Sequence, residues 1–304
     1  MSHAGAIPGG GVHTLMTDDE GNLWAGGSGL FRIHPETQVV TSIPIPERSG
    51  RVVTQLFQDS KGRLWVVVGA YSPSILQQSG VYLLDPTSGS FTPIRLAGQS
   101  ATAPLDDEAL ATALVEDSTG GIWLGTLSQG LFKLDDDRQE FRRETSETLS
   151  HLNGIQGFQE IPGGRLLIHA SGTSGHHGYV LFEPRTGLLR SFPTPIKGNP
   201  TTEIFLDRFG VLWVGTSGSG AYYGDTESGR FQLLRHDPDN PSTLGHGFVR
   251  AIHDDVDGSV WVGHLEVMDR VDGIRGTIQH FRVDPLDPTS LSDPSVQAIY
   301  RDRA

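Results

Sequence analysis

Asp117-Ser118-Thr119-Gly120-Gly121-Ile122-Trp123 is the stretch that decides how this chain folds, because its pattern returns along the whole sequence. Written as Asp-x-x-Gly-x-(Leu/Ile/Val)-Trp, it recurs at Asp18–Trp24, Asp59–Trp65, Asp207–Trp213 and Asp255–Trp261, and together these copies hold all five Trp. The gap between Trp123 and Trp213 is about twice the usual spacing. At its middle stands Gly164-Arg165-Leu166-Leu167, the same pattern with Leu167 in the Trp slot. Six units therefore follow one another at spacings of 41, 58, 44, 46 and 48 residues. Periods of this length belong to solenoids or propellers.

Each unit reads as four short strands. The first carries an apolar residue nine before the Trp slot: Leu15, Leu56, Leu114, Phe158, Ile204 and Ile252. Asp-x-x-Gly is a tight turn, with Gly free to take positive φ and Asp able to bond nearby backbone. The second strand holds the Trp. The third is a run such as Gly130-Leu131-Phe132-Lys133-Leu134. After a second turn (Asp85–Gly89, Asp225–Gly229) an aromatic opens the fourth: Phe91, Phe141 or Phe231. No segment keeps a 3.6-residue apolar period, so helices are expected to be rare. The expected fold is an all-β propeller of four-stranded antiparallel blades, a single region over 1–304. The blades are placed at approximately 12–50, 51–109, 110–153, 154–200, 201–247 and 248–294. Residues 295–304 then form a truncated seventh unit, with Val296–Tyr300 as its first strand, and the chain is read as a piece of a larger propeller.

Composition narrows the chemistry. With 23 Lys+Arg against 36 Asp+Glu, the formal net charge is −13, and no basic cluster is present to neutralise phosphates, so nucleic acid is not an expected partner. Zero Cys excludes disulfides, thiolate nucleophiles and Cys-ligated metals. The longest apolar stretch, Leu64–Val68, is far below the roughly 20 residues a membrane helix needs, and the first residues lack the basic and apolar regions of a signal peptide. No direct membrane contact is expected of this segment.

The units resemble the two-component regulator propeller repeat. Val115-Glu116-Asp117, Ile122-Trp123-Leu124-Gly125-Thr126 and Gly130-Leu131-Phe132 carry the likeness most fully, and Leu212-Trp213-Val214-Gly215-Thr216 repeats it. Arg235–Leu244 and Asp284–Ser292 resemble the connectors between blades. The resemblance implies an extracytoplasmic (periplasmic) ligand-sensing propeller of a bacterial signal-transduction protein, joined to a histidine kinase or diguanylate cyclase, with a small molecule or oligosaccharide as ligand. Unit four departs from it, with Leu167-Ile168-His169-Ala170 where Trp-x-Gly-Thr is expected. A lyase of the streptogramin-lyase type with a catalytic His, and a structural propeller that binds other proteins, are the competing readings.

No acid/base pair or nucleophile elbow is legible from spacing, so no catalytic residue is assigned. No cofactor and no metal are expected. His169, His176 and His177 cluster in unit four, but no carboxylate lies in that loop to complete a metal site. Asp255 begins a calcium-like loop with Glu266 at its twelfth position, yet strands flank it, and a hairpin turn is the simpler reading. Loop length is the more informative signal. Insertions fall between strands 2 and 3 or between blades, which puts them on one face of a propeller, where binding residues concentrate. That face is expected to supply the ligand contacts: Tyr71, Asp106, Asp107, His176, His177, His264 and Glu266. Behind them, two positions before the anchoring apolar residue, lie His13, Thr54, Thr112, Gln156, Thr202, Arg250 and Gln297. These polar groups would line a channel unless a bulge in the strand turns them sideways. Arg250 is the lone cation among them and is expected to pair with a carboxylate or sugar hydroxyls. An open ring would also expose strand edges to self-association.

Overall fold

The computed structural model describes residues 2–4, 7, 11–46, 51–70, 80–98, 110–145, 152, 154–171, 177–192, 201–225, 230–273 and 276–301. Among them are strands and turns and no helix. The chain divides into two compact units, Met1–Phe192 with Asp302–Ala304, and Pro193–Arg301.

In the first unit, β1 (Ser2–Ala4) lies outside a meander of β2 (Val12–Thr17), β3 (Leu23–Gly27), β4 (Leu30–Ile33) and β5 (Val39–Ile43). It pairs antiparallel with β5, giving the first sheet five strands where four were expected. The second meander is β6 (Arg51–Gln58), β7 (Leu64–Ala70), β8 (Gly80–Leu84) and β9 (Phe91–Leu96). The third is β10 (Ala111–Glu116), β11 (Ile122–Thr126), β12 (Gly130–Asp135) and β13 (Glu140–Arg143). A short parallel pairing of β13 with β9 joins these two into one eight-stranded sheet. The fourth is β14 (Ile155–Ile161), β15 (Arg165–Ser171), β16 (His177–Glu183) and β17 (Leu188–Phe192). The second unit holds β18 (Thr201–Leu206), β19 (Val211–Thr216), β20 (Ala221–Asp225) and β21 (Phe231–Leu234). These are followed by β22 (Val249–Asp254), β23 (Ser259–His264), β24 (Met268–Asp272) and β25 (Thr277–Phe281).

The repeated motif is an indole anchor. Its Asp Oδ2 accepts the Trp Nε1–H at 2.7 Å in Asp18–Trp24, 2.8 Å in Asp59–Trp65, 2.7 Å in Asp117–Trp123, 3.0 Å in Asp207–Trp213 and 3.1 Å in Asp255–Trp261. In the first four copies Oδ1 accepts two backbone N–H groups of the turn, as from Thr119 (2.8 Å) and Gly121 (3.0 Å). The Gly must turn left-handed to close it, with φ 81° at Gly120 and 79° at Gly210. One carboxylate thus satisfies the turn and the buried indole together, which a buried polar N–H requires. In the fourth meander Leu167 stands opposite Gln159, as Trp123 stands opposite Val115, so it does occupy the Trp position. Ile161 stands where the Asp would be, and two successive left-handed glycines, Gly163 and Gly164, make the turn instead.

Trp24, Trp65, Trp123 and Trp213 pack into the following meander, whereas Trp261 meets Phe281 of its own at 5.1 Å. Trp65 meets Phe141 with ring centroids 6.1 Å apart, and Trp123 meets Phe182 edge-on at 5.1 Å. Trp24, Trp65, Trp123, Leu167 and Trp213 are buried, while Trp261 keeps partial exposure. A second device sits two residues beyond the Trp slot. A Cβ at Gly26 would lie 2.5 Å from Val53 Cγ1, at Gly215 2.6 Å from Val249 Cγ1, and at Gly125 against Ile155. In each case a β-branched residue of the next first strand presses into the glycine's missing side chain. Where the second meander has Val67 in place of the glycine, the opposing residue shrinks to Ala111, and both lie in one cluster. The chain beyond β25 uses the same device, since a Cβ at Gly263 would lie 2.8 Å from Val296 Cγ1. Val296 N–H also donates to His264 O at 2.9 Å. Val296–Tyr300, expected as a strand, nonetheless runs as irregular chain.

Candidate ligand-binding face

In every meander the antiparallel order puts the Asp turns and the 3–4 turns at one end, and the 2–3 loops and connectors at the other. The turn end is consumed by structural bonds. At four junctions a residue at the end of the next first strand accepts the turn amide of the preceding meander: Gln58 from Asp19 (2.9 Å), Glu116 from Ser60 (2.7 Å), Glu160 from Ser118 (2.9 Å) and Asp254 from Arg208 (3.2 Å), while β18 has Leu206 in that place. Arg208 adds an ion pair to Asp254, which holds that carboxyl below its usual range against the opposing cost of burial. The Asp255 turn is of the same structural kind, its carboxylate engaged with Trp261 Nε1–H and Val256 N–H.

The polar residues two before the first-strand anchor are the extra residues of β-bulges. Register shifts fall between Val12 and Thr14, Val53 and Gln55, Ala111 and Ala113, Ile155 and Gly157, Thr201 and Glu203, and Val249 and Ala251. They bracket His13, Thr54, Thr112, Gln156, Thr202 and Arg250. A bulge re-aims its side chain, and the threonines show where. Thr112 Oγ1 lies 2.6 Å from Ile155 O, and Thr202 Oγ1 donates to Val249 O at 2.6 Å, so both hydroxyls stitch one first strand to the next. Arg250 stacks its guanidinium 5.3 Å over the Phe248 ring, and its buried Nε has no hydrogen-bond partner among the described residues. Gln297, in the irregular tail, is half-buried.

Beneath the loop end of the sixth meander lies a buried polar cluster. His264 has no exposed surface; its Nδ1 lies 3.1 Å from Phe248 O and its Nε2 3.0 Å from Asp269. Asp269, equally buried, also accepts Gly245 N–H (2.7 Å) and His280 Nδ1 (2.7 Å), while His280 Nε2 donates to Pro241 O (2.8 Å). Both ring nitrogens of His280 face acceptors, an arrangement the imidazolium satisfies. Burial opposes that charge, but the bonds to Asp269 and Pro241 O outweigh it and raise the His280 pKa. Burial likewise works against the Asp269 carboxylate, and the two imidazoles and the Gly245 amide overcome it, lowering its pKa. The cluster clamps the 235–248 connector onto the sheet and leaves Glu266 exposed on the adjoining loop.

Of the residues expected to touch ligand, Arg250 and His264 meet at Phe248, and Glu266 lies exposed on the β23–β24 loop. His264 supports the loop from below. His177 opens β16 in register with Ser171, and Tyr71, Asp106, Asp107 and His176 lie outside the described residues. His169 is buried and stacked on Tyr179 with centroids 5.1 Å apart, and burial depresses its pKa to about 4. Two acids went unread in the sequence. Asp269 fills a third-strand slot held by Phe31, Tyr82 and Phe132 in the first three meanders, so a charge in an apolar register was its signal. Glu203 retains some exposed surface, yet burial of its carboxyl pushes it up to about 8.

Solved structures share this arrangement. The extracellular domain of a proposed hybrid two component system, BT4673 of B. thetaiotaomicron, aligns with TM-score 0.74 at 14% identity, over 98% of this chain and 36% of that one. That of BT3049, from the same organism, aligns with TM-score 0.73 at 18% identity, over 97% and 38%. The chain has the fold of these sensor domains. Repeat and fold agree on a propeller-like, all-β architecture. The chain spans little more than a third of either matched chain. No family model and no curated protein matches the sequence.

Proposed function

We propose that this chain is the ligand-sensing part of an extracytoplasmic receptor of the two-component type. It would contribute six blades and the opening strand of a larger propeller, with the signalling output carried elsewhere in the parent protein and no catalysis here. The ligand, a small molecule or oligosaccharide, would bind on the end that carries the 2–3 loops and connectors. The observation that carries this reading is the asymmetry between the two ends. The turn end repeats one set of structural hydrogen bonds from meander to meander, whereas the loop end varies in length and holds Arg250, Glu266 and the clamped connector. The fold shared with extracellular sensor domains supports the same reading. A rigid scaffold with variable loops at one end is how binding surfaces are ordinarily built.

The test is a calorimetric screen of acidic and neutral oligosaccharides against the intact chain, Arg250→Ala, and a His176/His177→Ala double variant. The expected result is a ligand that loses about tenfold or more in affinity, a change of about 1.4 kcal/mol, when Arg250 is removed. An oligosaccharide that keeps its affinity in both variants and is weakened by Val256→Ala in the exposed Asp255 turn would overturn the assignment of the face.

A further inference from the structure

The fifth-to-sixth junction, inside the second unit, is not filled as the earlier ones are. Trp24, Trp65 and Trp123 each meet a phenylalanine of the next meander: Phe91 packs on the Trp24 cluster, Phe141 on Trp65 and Phe182 on Trp123. Those rings belong to one row across the receiving sheet, seen in the pairs Leu64–Leu84–Phe91, Leu134–Phe141 and Leu166–Phe182–Leu189. In the sixth meander the same row reads Val260–Val271–Ile278 and contains no aromatic ring. Three aliphatic side chains cannot reach as far as a phenylalanine, and a cavity of about 500 Å³ remains beside Trp213.

The walls define what would fill it. Trp213 and Tyr223 are stacked with centroids 5.1 Å apart and planes 21° from parallel, and Phe209, 67% exposed, stands at the mouth. The charged groups among the described lining residues are the carboxylates of Asp207 and Asp272, with no Lys, Arg or His. Asp207 is already engaged by the Trp213 indole (3.0 Å) and by the Phe209 and Val211 amides (2.9 Å each). The volume falls in the roughly 300–1,000 Å³ range of small-molecule sites, and aromatic walls favour flat rings and cations over anions. We propose that this inter-blade cavity is a second binding site, separate from the loop end, for a flat aromatic molecule of one or two rings that is uncharged or cationic. The missing phenylalanine is what opens it.

The experiment uses three probes of one shape, 2-naphthol, 1-naphthylmethylammonium and 1-naphthoate, titrated into the full chain and followed by calorimetry. Naphthol and the ammonium are expected to bind, with naphthoate weaker by about tenfold or more. Ile278→Phe and, separately, Val271→Phe restore the ring that fills the other junctions. Each is expected to abolish binding while the melting temperature holds or rises. Phe209→Ala should weaken binding with the fold intact, and Arg250→Ala should leave it unchanged. Absence of binding by naphthol and the ammonium would overturn the proposal. So would naphthoate binding as tightly as the ammonium, binding that survives in a folded Phe variant, or loss of binding in Arg250→Ala.

Discussion

The junctions at Trp123 and Trp213 start from the same seven-residue motif and end differently. Both indoles are anchored on an Asp six residues earlier, at 2.7 Å and 3.0 Å, and both lie beyond a left-handed glycine turn. Around Trp123 the next meander supplies Phe182, Ile155 and Leu166, and the indole is buried with the Phe182 ring edge-on at 5.1 Å. Around Trp213 it supplies Val249, Val260 and Val271, and the space is partly hollow. The motif therefore fixes where the backbone turns and where the indole points. Filling is decided separately, by one row of residues on the neighbouring sheet. A repeat protein can in this way keep its scaffold constant and open a site by changing a single ring.

The largest expected effect follows directly. Trp123→Ala removes a ring from a closed junction and should cost about 3–5 kcal/mol in urea unfolding. Trp213→Ala, with part of its surroundings already empty, should cost nearer 2 kcal/mol, mainly the transfer term. Equal losses would break the comparison. A smaller contrast is expected at the glycine sockets. Gly125→Ala drives a methyl into Ile155 and Phe158, both held in a strand, and should cost about 1–3 kcal/mol. Gly263→Ala meets Val296 in irregular chain that can shift, and should cost about 1 kcal/mol or less.

The smallest effect is one of pH, and its sign differs between the two units. His169 has its folded pKa depressed to about 4 from 6.5 by burial, so the unfolded chain takes up the proton first. The first unit should weaken as pH falls below 6.5, by under about 1 kcal/mol between pH 7 and 6. His280 has its pKa raised from 6.5, so its contribution is complete below that value and lost as pH rises through the folded one. Asp269, lowered from 3.8, contributes above that value and loses its part as pH falls through the folded one. Hydrogen exchange of the two units at pH 7 and pH 6 should therefore move in opposite directions, with Glu203, pushed up from 4.5 to about 8 by burial, adding to the His280 trend in the second because it takes up its proton on folding. Replacing His169 by Gln should remove the first trend, and replacing Glu203 and His280 together by Gln should remove the second.

Much of this was legible in the sequence. The Trp period, Leu167 in the Trp slot and the four-strand units all follow from spacing, because a repeated register forces equivalent positions to look alike. The indole anchor was visible as an invariant six-residue Asp–Trp separation, but naming its hydrogen bond needs the turn to bring side chain onto side chain. The bulges at His13, Thr54, Thr112, Gln156, Thr202 and Arg250 stood in the sequence only as an alternative to a lined channel, since an inserted residue leaves the sequence period untouched while it rotates one side chain. Asp269 and the hollow beside Trp213 escaped for the opposite reason. Both are departures from the repeat, and a reading that looks for recurrence passes over the unit that breaks it.

The most direct test is an NMR spectrum of the chain with ¹⁵N-labelled tryptophan, its indole signals assigned by single Trp→Phe replacements. Five indole N–H groups bonded to five carboxylates should give five resonances, all slow to exchange with water, with the partly exposed Trp261 the fastest. Adding 1-naphthylmethylammonium should shift Trp213 and leave Trp24, Trp65 and Trp123 in place. Indoles that exchange freely, or a probe that moves the closed junctions as much as Trp213, would contradict both the common anchor and the open junction.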